Sequence, residues 1–319
     1  MESVRTSQKA AASMSSEPSQ RTLVLSDLHL GRTEAAAQSH RFARLIAESS
    51  RVIVNGDAAE LHHARFRASA EEELLRLRDL CDRANVRLDL IAGNHDPYIS
   101  DVRSLSLCGG SIYITHGDAF HPAIAPWSPY AASMEKAYRT ALAASPAGLD
   151  PETARLAAAR DAAVAEWQAL GDGAYISTIF SVAVRPHRAL AALSYWRRYP
   201  AMTLDWASRH APRADTVIVG HSHRPFVTTL NGVRIVNTGA YAFPGRPLAV
   251  VIEGREVAAH RIDMSERLFR LSPTPIARWT CGAGTAHATE HDAHAPARPS
   301  TRRMNAAASP SAARSTDVR

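Results

Sequence analysis

The sequence predicts an α/β fold in which two sheets pack face to face with helices on the outside. Short β-branched strands alternate with amphipathic helices as far as residue 115, which is typical of an α/β sandwich. A helical interval of about a hundred residues follows, too long to be a plain loop in a compact domain. Strand signals return in the last third, where a strand over 233–236 follows Asn231-Gly232, a strong hairpin turn. Another hairpin is predicted between 247–252 and 256–262.

Hydrophobic periodicity places the elements of the first half. Helical spacing over 35–49 puts Phe42, Leu45 and Ile46 on one face, and a second amphipathic helix is predicted over 64–84. Short apolar runs predict five strands that end in Asp, Asn or His, at 22–26, 51–55, 86–92, 111–115 and 216–220. In α/β folds ligand sites form at the carboxyl ends of the strands. Five such ends together predict one site.

The residue types at these strand ends indicate metal ions. Seven side chains offer imidazole nitrogens, carboxylates or an amide oxygen: Asp27, His29, Asp57, Asn94, His116, His221 and His223. None is a thiolate, which argues against a structural cysteine-type zinc site. Seven ligands are too many for one tetrahedral ion, but they suit two ions at five or six coordination once a bridging carboxylate and water are added.

The motifs D-x-H, G-D, G-N-H-D, H-G and G-H-x-H stand in that order between Asp27 and His223. This ordered set resembles the calcineurin-like metallophosphoesterase family. The resemblance implies a four-layer αββα sandwich with a helical insert, and hydrolysis of phosphate ester or pyrophosphate bonds by a metal-bridged hydroxide. Two divalent ions are implied as cofactors, Mn²⁺ first, with Fe or Zn as alternatives because availability often decides.

The resemblance also implies how the ligands divide between the two ions. One ion is held by Asp27, His29 and His223, the other by Asn94, His116 and His221, and Asp57 bridges both.

Two further residues of the central turn are expected to act in catalysis. The resemblance places His95 near the leaving-group oxygen, as a proton donor or charge stabiliser rather than a ligand. General acid catalysis of this kind contributes roughly 10² to 10⁴ in rate. Asp96 is expected to orient His95, as carboxylates orient imidazoles elsewhere.

The motifs and the composition divide the chain into five segments. They are a disordered N-terminal segment over 1–20, the first half of the metallophosphoesterase domain over 21–120, a helical insert or cap over 121–212, the second half over 213–270 and a disordered tail over 271–319. Within the insert, helices are expected over 130–144, 151–170 and 175–196, with Pro200 and Pro212 marking its exit.

Rival interpretations concern the substrate and the class of protein. The stretch from Ser26 to Gly31, Glu60 after Asp57 and the helical insert resemble UDP-2,3-diacylglucosamine pyrophosphatases, although those carry arginine where this chain has His95. Relatives of this fold that serve as scaffolds have lost metal ligands, and here none is missing. The basic charge favours a nuclease mildly, but no nucleic-acid-binding signature accompanies it.

The composition indicates which partners and which cellular compartment to expect. The chain has 319 residues, 45% of them hydrophobic, and a net charge of +6, which suits anionic substrates such as phosphoesters. We expect a small-molecule or lipid-linked phosphoester substrate and no stable nucleic-acid partner. No stretch is long enough to span a bilayer, although apolar residues beside Arg197 and Arg198 leave room for a peripheral membrane contact. Three scattered cysteines imply no disulfide framework, so the cytoplasm is the expected location.

Overall fold

The computed structural model describes residues 20–32, 37–170, 185–242 and 245–282, and in these ranges the α/β prediction is confirmed. The α-helices are α1 (Ala43–Ala47), α2 (Ala64–Arg83), α3 (Ala131–Ala143), α4 (Pro151–Leu170) and α5 (Pro186–His210). The strands of the first half are β1 (Arg21–Leu25), β2 (Arg51–Asn55), β3 (Arg87–Ile91), β4 (Ser104–Leu107) and β5 (Ile112–Thr115). The later strands are β6 (Thr216–Val219), β7 (Phe226–Leu230), β8 (Val233–Asn237), β9 (Leu248–Glu253), β10 (Glu256–Asp263), β11 (Arg270–Leu271) and β12 (Ala277–Thr280).

The strands form two sheets. In the first sheet the order is β11-β10-β9-β1-β2-β3, and β12 also pairs with β10. In the second the order is β4-β5-β6-β8-β7. The parallel strands are β1, β2 and β3 in one sheet and β5, β6 and β8 in the other, so their carboxyl ends share an edge within each sheet.

Apolar side chains pack the sheets and helices into four layers. Between the sheets, Val24 and Ile53 of the first sheet pack in one cluster with Ile114 and Ile218 of the second. Side chains of α1 and α2 cover the outer face of the first sheet. Helices α3, α4 and α5 cover the outer face of the second, where Trp206 packs in one cluster with residues of β5, β6 and β8. The helical interval therefore supplies the fourth layer of the sandwich.

The last helix of that interval differs from the prediction. The last helix was expected to end at residue 196, with Pro200 and Pro212 marking the exit, whereas α5 continues through Pro200 and ends at His210. A proline inside a helix costs about 3 kcal/mol or more because it removes a backbone hydrogen bond. Burial of Tyr195, Tyr199 and Trp206 on the same helix offsets this cost.

The predicted tail also begins too early. Its boundary was placed at residue 271, but β12 pairs along β10, with Trp279 opposite Val257. The Trp279 indole donates to Thr216 Oγ1 at 2.9 Å, and the guanidinium of Arg234 lies 5.0 Å from the ring centre. One aromatic side chain fixes a segment whose polar composition predicts disorder. The expectations for residues 1–19, 33–36, 171–184 and 283–319 lie outside the described residues.

None of the described helices combines the length and the apolar character needed to cross a membrane.

Candidate metal centre

The structure brings all seven predicted metal ligands together at the carboxyl ends of the parallel strands. They follow β1, β2 and β3 of the first sheet and β5 and β6 of the second. The sandwich thus joins strand ends that lie as far apart in the sequence as Asp27 and His223. Apart from His223, whose side chain is 41% exposed, every one of these residues is buried.

One group of ligand atoms surrounds the end of β1. It consists of Asp27, His29, Asp57 and His223, whose ligand atoms all lie within 4.8 Å of one another. The Nε2 atoms of His29 and His223 are 3.0 Å apart, and His223 Nε2 is 3.3 Å from Asp27 Oδ1.

A second group lies between the two sheets' strand ends. It consists of Asp57, His116 and His221, again within 4.8 Å. The amide oxygen of Asn94 joins it, at 2.9 Å from His221 Nδ1 and 3.3 Å from His116 Nε2. Asp57 belongs to both groups, which is the position of a bridging carboxylate.

In His116 and His221 one ring nitrogen donates a hydrogen bond, so the lone pair of the other ring nitrogen faces an oxygen atom that is itself an acceptor. His116 Nδ1 donates to the carbonyl oxygen of Asn55 at 2.9 Å, so its Nε2 faces Asp57 Oδ2, 3.2 Å away. His221 Nε2 donates to the carbonyl of Ile124 at 3.2 Å, so its Nδ1 faces the amide oxygen of Asn94. Asp57 Oδ2 is buried and accepts no hydrogen bond from a backbone N–H or a hydroxyl group among the described residues. A cation satisfies such a cluster of acceptors, so the residues fit metal ions.

The electrostatics of the cluster favour positive charge. A proton on His116 Nε2 can take the place of the cation: burial opposes it, but the carboxylate of Asp57 outweighs burial and raises the pKa of His116 to about 10. Burial lowers the pKa of His29 to about 4, so this imidazole is neutral at neutral pH and its Nε2 keeps a lone pair.

The backbone adopts left-handed conformations at five of the seven ligands. Positive φ angles of 48° to 63° occur at Asp27, His29, Asp57, His221 and His223. Non-glycine residues rarely adopt these angles, and such strain clusters at functional sites because it aims side chains that regular structure would point elsewhere.

Gly93 allows the turn after β3 to approach Asp57 closely. A Cβ atom at position 93 would overlap both the carboxylate and the backbone nitrogen of Asp57. Only glycine therefore fits where the turns after β2 and β3 meet.

His95 lies beside the metal ligands. Its Nε2 is 4.0 Å from Asp57 Oδ2, and its side chain is 23% exposed, so a substrate can reach it. Its backbone N–H donates to Asp57 Oδ1 at 2.8 Å, and its Nδ1 donates to Glu60 Oε2 at 3.0 Å. Burial disfavours the charged imidazole, but the carboxylates of Glu60 and Asp57 outweigh it and raise the pKa of His95 to about 9.

The prediction that Asp96 orients His95 is wrong. The buried Asp96 carboxylate accepts backbone N–H groups from Gly93 at 2.8 Å, Ala58 at 2.6 Å and Asp57 at 3.1 Å. It folds back on its own turn, as aspartate does in tight turns, and ties that turn to the one after β2. Asp96 is therefore a positioning residue.

Glu60 takes the place predicted for Asp96. Its carboxylate accepts His29 Nδ1 at 2.8 Å and His95 Nδ1 at 3.0 Å, and it lies 3.3 Å from Arg32 Nη1. It fixes the tautomers of a metal ligand and of the candidate acid at once. His29, Glu60 and His95 also have ligand atoms within 4.8 Å of one another, but their hydrogen bonds account for that proximity. The one sequence signal for Glu60 was its place three residues after Asp57.

The helical interval contacts the loop that carries His221 and His223. Tyr199 donates its hydroxyl to the carbonyl of Gly220 at 3.0 Å, and the Trp196 indole donates to the carbonyl of Ser222 at 3.0 Å. The fourth layer thus positions ligands that it does not itself supply.

Comparisons with known proteins agree with the motifs. The calcineurin-like phosphoesterase family model matches residues 20–225. No curated protein matches the chain.

Solved structures similar to the chain have low sequence identity. A single mutant of Vps29 from Entamoeba histolytica is 16% identical, with 81% of this chain and 99% of that chain covered and a TM-score of 0.38. A dimetal phosphatase from Danio rerio is 10% identical, covering 80% and 99%, with a TM-score of 0.40. Yfce, a phosphoesterase from E. coli, is 12% identical, covering 82% and 100%, with a TM-score of 0.38.

Proposed function

The chain belongs to the calcineurin-like phosphoesterase family of metal-dependent phosphoester hydrolases, and we propose that its centre holds two divalent ions that share Asp57. The observation that carries this proposal is that the buried carboxylate of Asp57 belongs to both groups of ligand atoms. Asp27, His29 and His223 are proposed to hold one ion. Asn94, His116 and His221 are proposed to hold the other.

Each part of the centre has a task in hydrolysis. Two ions held by these residues would supply a nucleophile by lowering the pKa of water and would neutralise charge on the phosphoryl oxygens. The protein's own contribution is to fix the ligands: Glu60 holds the His29 ring, and the carbonyl of Asn55 holds the His116 ring. His95, held by Glu60, presents Nε2 as the proton donor to the leaving-group oxygen.

The metal and the compartment stay predictions. Imidazole, carboxylate and amide ligands suit Mn²⁺, which we expect to be the activating ion, and Fe or Zn fit the same donors. The cytoplasmic location rests on cysteine usage alone.

A substrate panel tests the proposed function. The protein is stripped with a chelator, reloaded with Mn²⁺ and assayed on phosphomonoesters, phosphodiesters, cyclic nucleotides, nucleoside diphosphate esters and a UDP-sugar lipid. We expect hydrolysis of at least one class, loss on chelation and recovery with Mn²⁺. Equal activity before and after chelation, or no hydrolysis of any class at full metal load, would contradict the proposal.

His95→Ala separates metal binding from proton donation. The variant is expected to keep its metal content, while its turnover of esters with poor leaving groups falls about 10²- to 10⁴-fold. An activated aryl ester needs less help from an acid and loses less. His40→Ala, a histidine exposed on the surface, is the matched control and should change neither quantity. Loss of metal from His95→Ala would make His95 a ligand.

A lipid-linked substrate, as in the UDP-2,3-diacylglucosamine pyrophosphatases, is a second candidate that the surface of α5 favours. Leu190 and Leu193 are 66% and 47% exposed on this helix, next to the exposed Arg197 and Arg198. Trp196, on the same helix, reaches the metal-ligand loop through its bond to Ser222. Apolar side chains beside arginines suit a molecule with an acyl part and a phosphate, or the membrane surface that carries it.

Charge reversal on α5 tests this second candidate. Changing Arg197 and Arg198 to Glu is expected to raise KM for the lipid-linked substrate while leaving hydrolysis of a small aryl phosphoester unchanged. The same reversal at Arg261 and Arg278, exposed on β10 and β12, makes the control pair. Unchanged kinetics on both substrates would show that Arg197 and Arg198 are solvated surface residues with no role in substrate recognition.

A further inference from the structure

Aromatic side chains form a wall on the side of the centre where His95 lies. We define this aromatic wall as His62, Tyr98 and Trp167. The His62 ring is 4.2 Å from the His95 ring and perpendicular to it, and it lies 5.9 Å from Trp167 at a tilt of 31°. The Tyr98 ring lies 6.1 Å from the Trp167 ring, at 74° to it.

Two rings of the wall are partly open to a ligand. Tyr98 is 63% exposed, although an aromatic side chain gains free energy by burial. Trp167 is half-buried, whereas only 7% of the His62 side chain is exposed. A planar ligand against the wall would cover the open parts of the Tyr98 and Trp167 rings.

The residues behind the wall hold it in place. Glu60 Oε2 lies 3.0 Å from the Nδ1 atoms of both His62 and His95, so one carboxylate contacts both rings, and it hydrogen-bonds that of His95. The guanidinium of Arg160, on α4, lies 5.6 Å from the centre of the Tyr98 ring. The wall therefore joins α4 to the turn after β3.

From this geometry we propose that the aromatic wall binds a planar aromatic ring of the leaving group, such as a nucleobase. The inference rests on the proposed function, in which His95 protonates the leaving-group oxygen. The His62 ring of the wall lies 4.2 Å from the His95 ring, so the remainder of a leaving group whose oxygen meets His95 comes within reach of the wall. Stacking of a base on an aromatic side chain tolerates any base, since every base has a π-face.

Adenosine and a pair of phosphate esters test the subsite in the Mn²⁺-loaded protein. Adenosine binding, measured by calorimetry against ribose, needs no hydrolysis. Adenosine 5′-phosphate and glycerol phosphate have similar primary alcohol leaving groups, so they differ in the aromatic ring rather than in the chemistry. We expect Trp167→Ala to weaken adenosine binding and to raise KM for adenosine 5′-phosphate about tenfold each. kcat/KM for glycerol phosphate should stay unchanged.

Two more variants separate recognition from folding. Trp167→Phe keeps a stacking ring and should retain most of the adenosine affinity. Trp279→Ala removes an indole bonded to Thr216 at the amino end of β6, away from the centre, and should leave adenosine binding intact. Adenosine binding no tighter than that of ribose, or equal loss on both esters in Trp167→Ala, would overturn the subsite. Failure to hydrolyse any ester with adenosine still bound would overturn the proposed function and leave the subsite standing.

Discussion

Asp57→Ala is expected to abolish phosphoester hydrolysis and to leave fewer than two metal ions bound per chain. Asp57 is the one carboxylate shared by both groups of ligand atoms. Its removal would take one ligand from each of the two proposed ions. It would also remove the negative charge that lies between the two ions. It also removes the acceptor of the His95 backbone N–H, which would loosen the central turn.

Elemental analysis of the purified variant measures the metal, and the substrate panel measures the activity. Asp101→Ala is the matched control, since the Asp101 side chain is fully exposed and outside the centre. It should keep both the metal and the activity. Two tightly held ions in Asp57→Ala would refute the bridging role.

Arg103→Met is expected to destabilise the fold by about 3 to 5 kcal/mol, the cost of leaving a buried charge without its partner. Arg103 and Asp118 are 8% and 1% exposed, and Arg103 Nη2 donates to Asp118 Oδ2 at 2.6 Å. Burial opposes ionisation of Asp118, but the guanidinium of Arg103 outweighs it and keeps the pKa of Asp118 below its ordinary value.

The same arginine joins two turns of the centre. Arg103 Nη1 donates to the carbonyl oxygens of Ala92 at 2.9 Å and Gly93 at 3.2 Å, just before Asn94. Asp118 follows His116 by two residues. Arg103→Met should therefore weaken metal binding as well as stability.

Urea unfolding of the metal-free protein measures the stability effect of Arg103→Met. Arg139→Met, on an exposed ion pair with Glu135, is the control and should change stability very little. The double variant Arg103→Met with Asp118→Leu should recover much of the loss, because it removes both charges. A loss no larger than that of the control would show that the pair does not hold the fold together.

The sequence predicts this fold and its metal ligands for a simple physical reason. Each ligand directly follows a short strand, so the local sequence that marks the strand also marks the ligand. The strand over 51–55 and the helix over 151–170 have the predicted bounds, because a β-branched apolar run marks the strand and an alanine-rich run beginning with Pro151 marks the helix.

The parts of the structure that differ from the sequence-based prediction depend on contacts between segments that are distant in the sequence. Whether Asp96 or Glu60 reaches His95 depends on how the turns after β2 and β3 face each other, and residue spacing carries no such information. The continuation of α5 through Pro200 and the pairing of β12 likewise depend on tertiary packing around Tyr199 and Trp279, which outweighs local propensity.

Anomalous diffraction from crystals grown with Mn²⁺ would locate the ions themselves. We expect two manganese peaks about 3.5 to 4 Å apart. One peak should lie among Asp27, His29 and His223, the other among Asn94, His116 and His221, with Asp57 between them. A single peak, or a peak among His29, Glu60 and His95, would contradict the dinuclear centre.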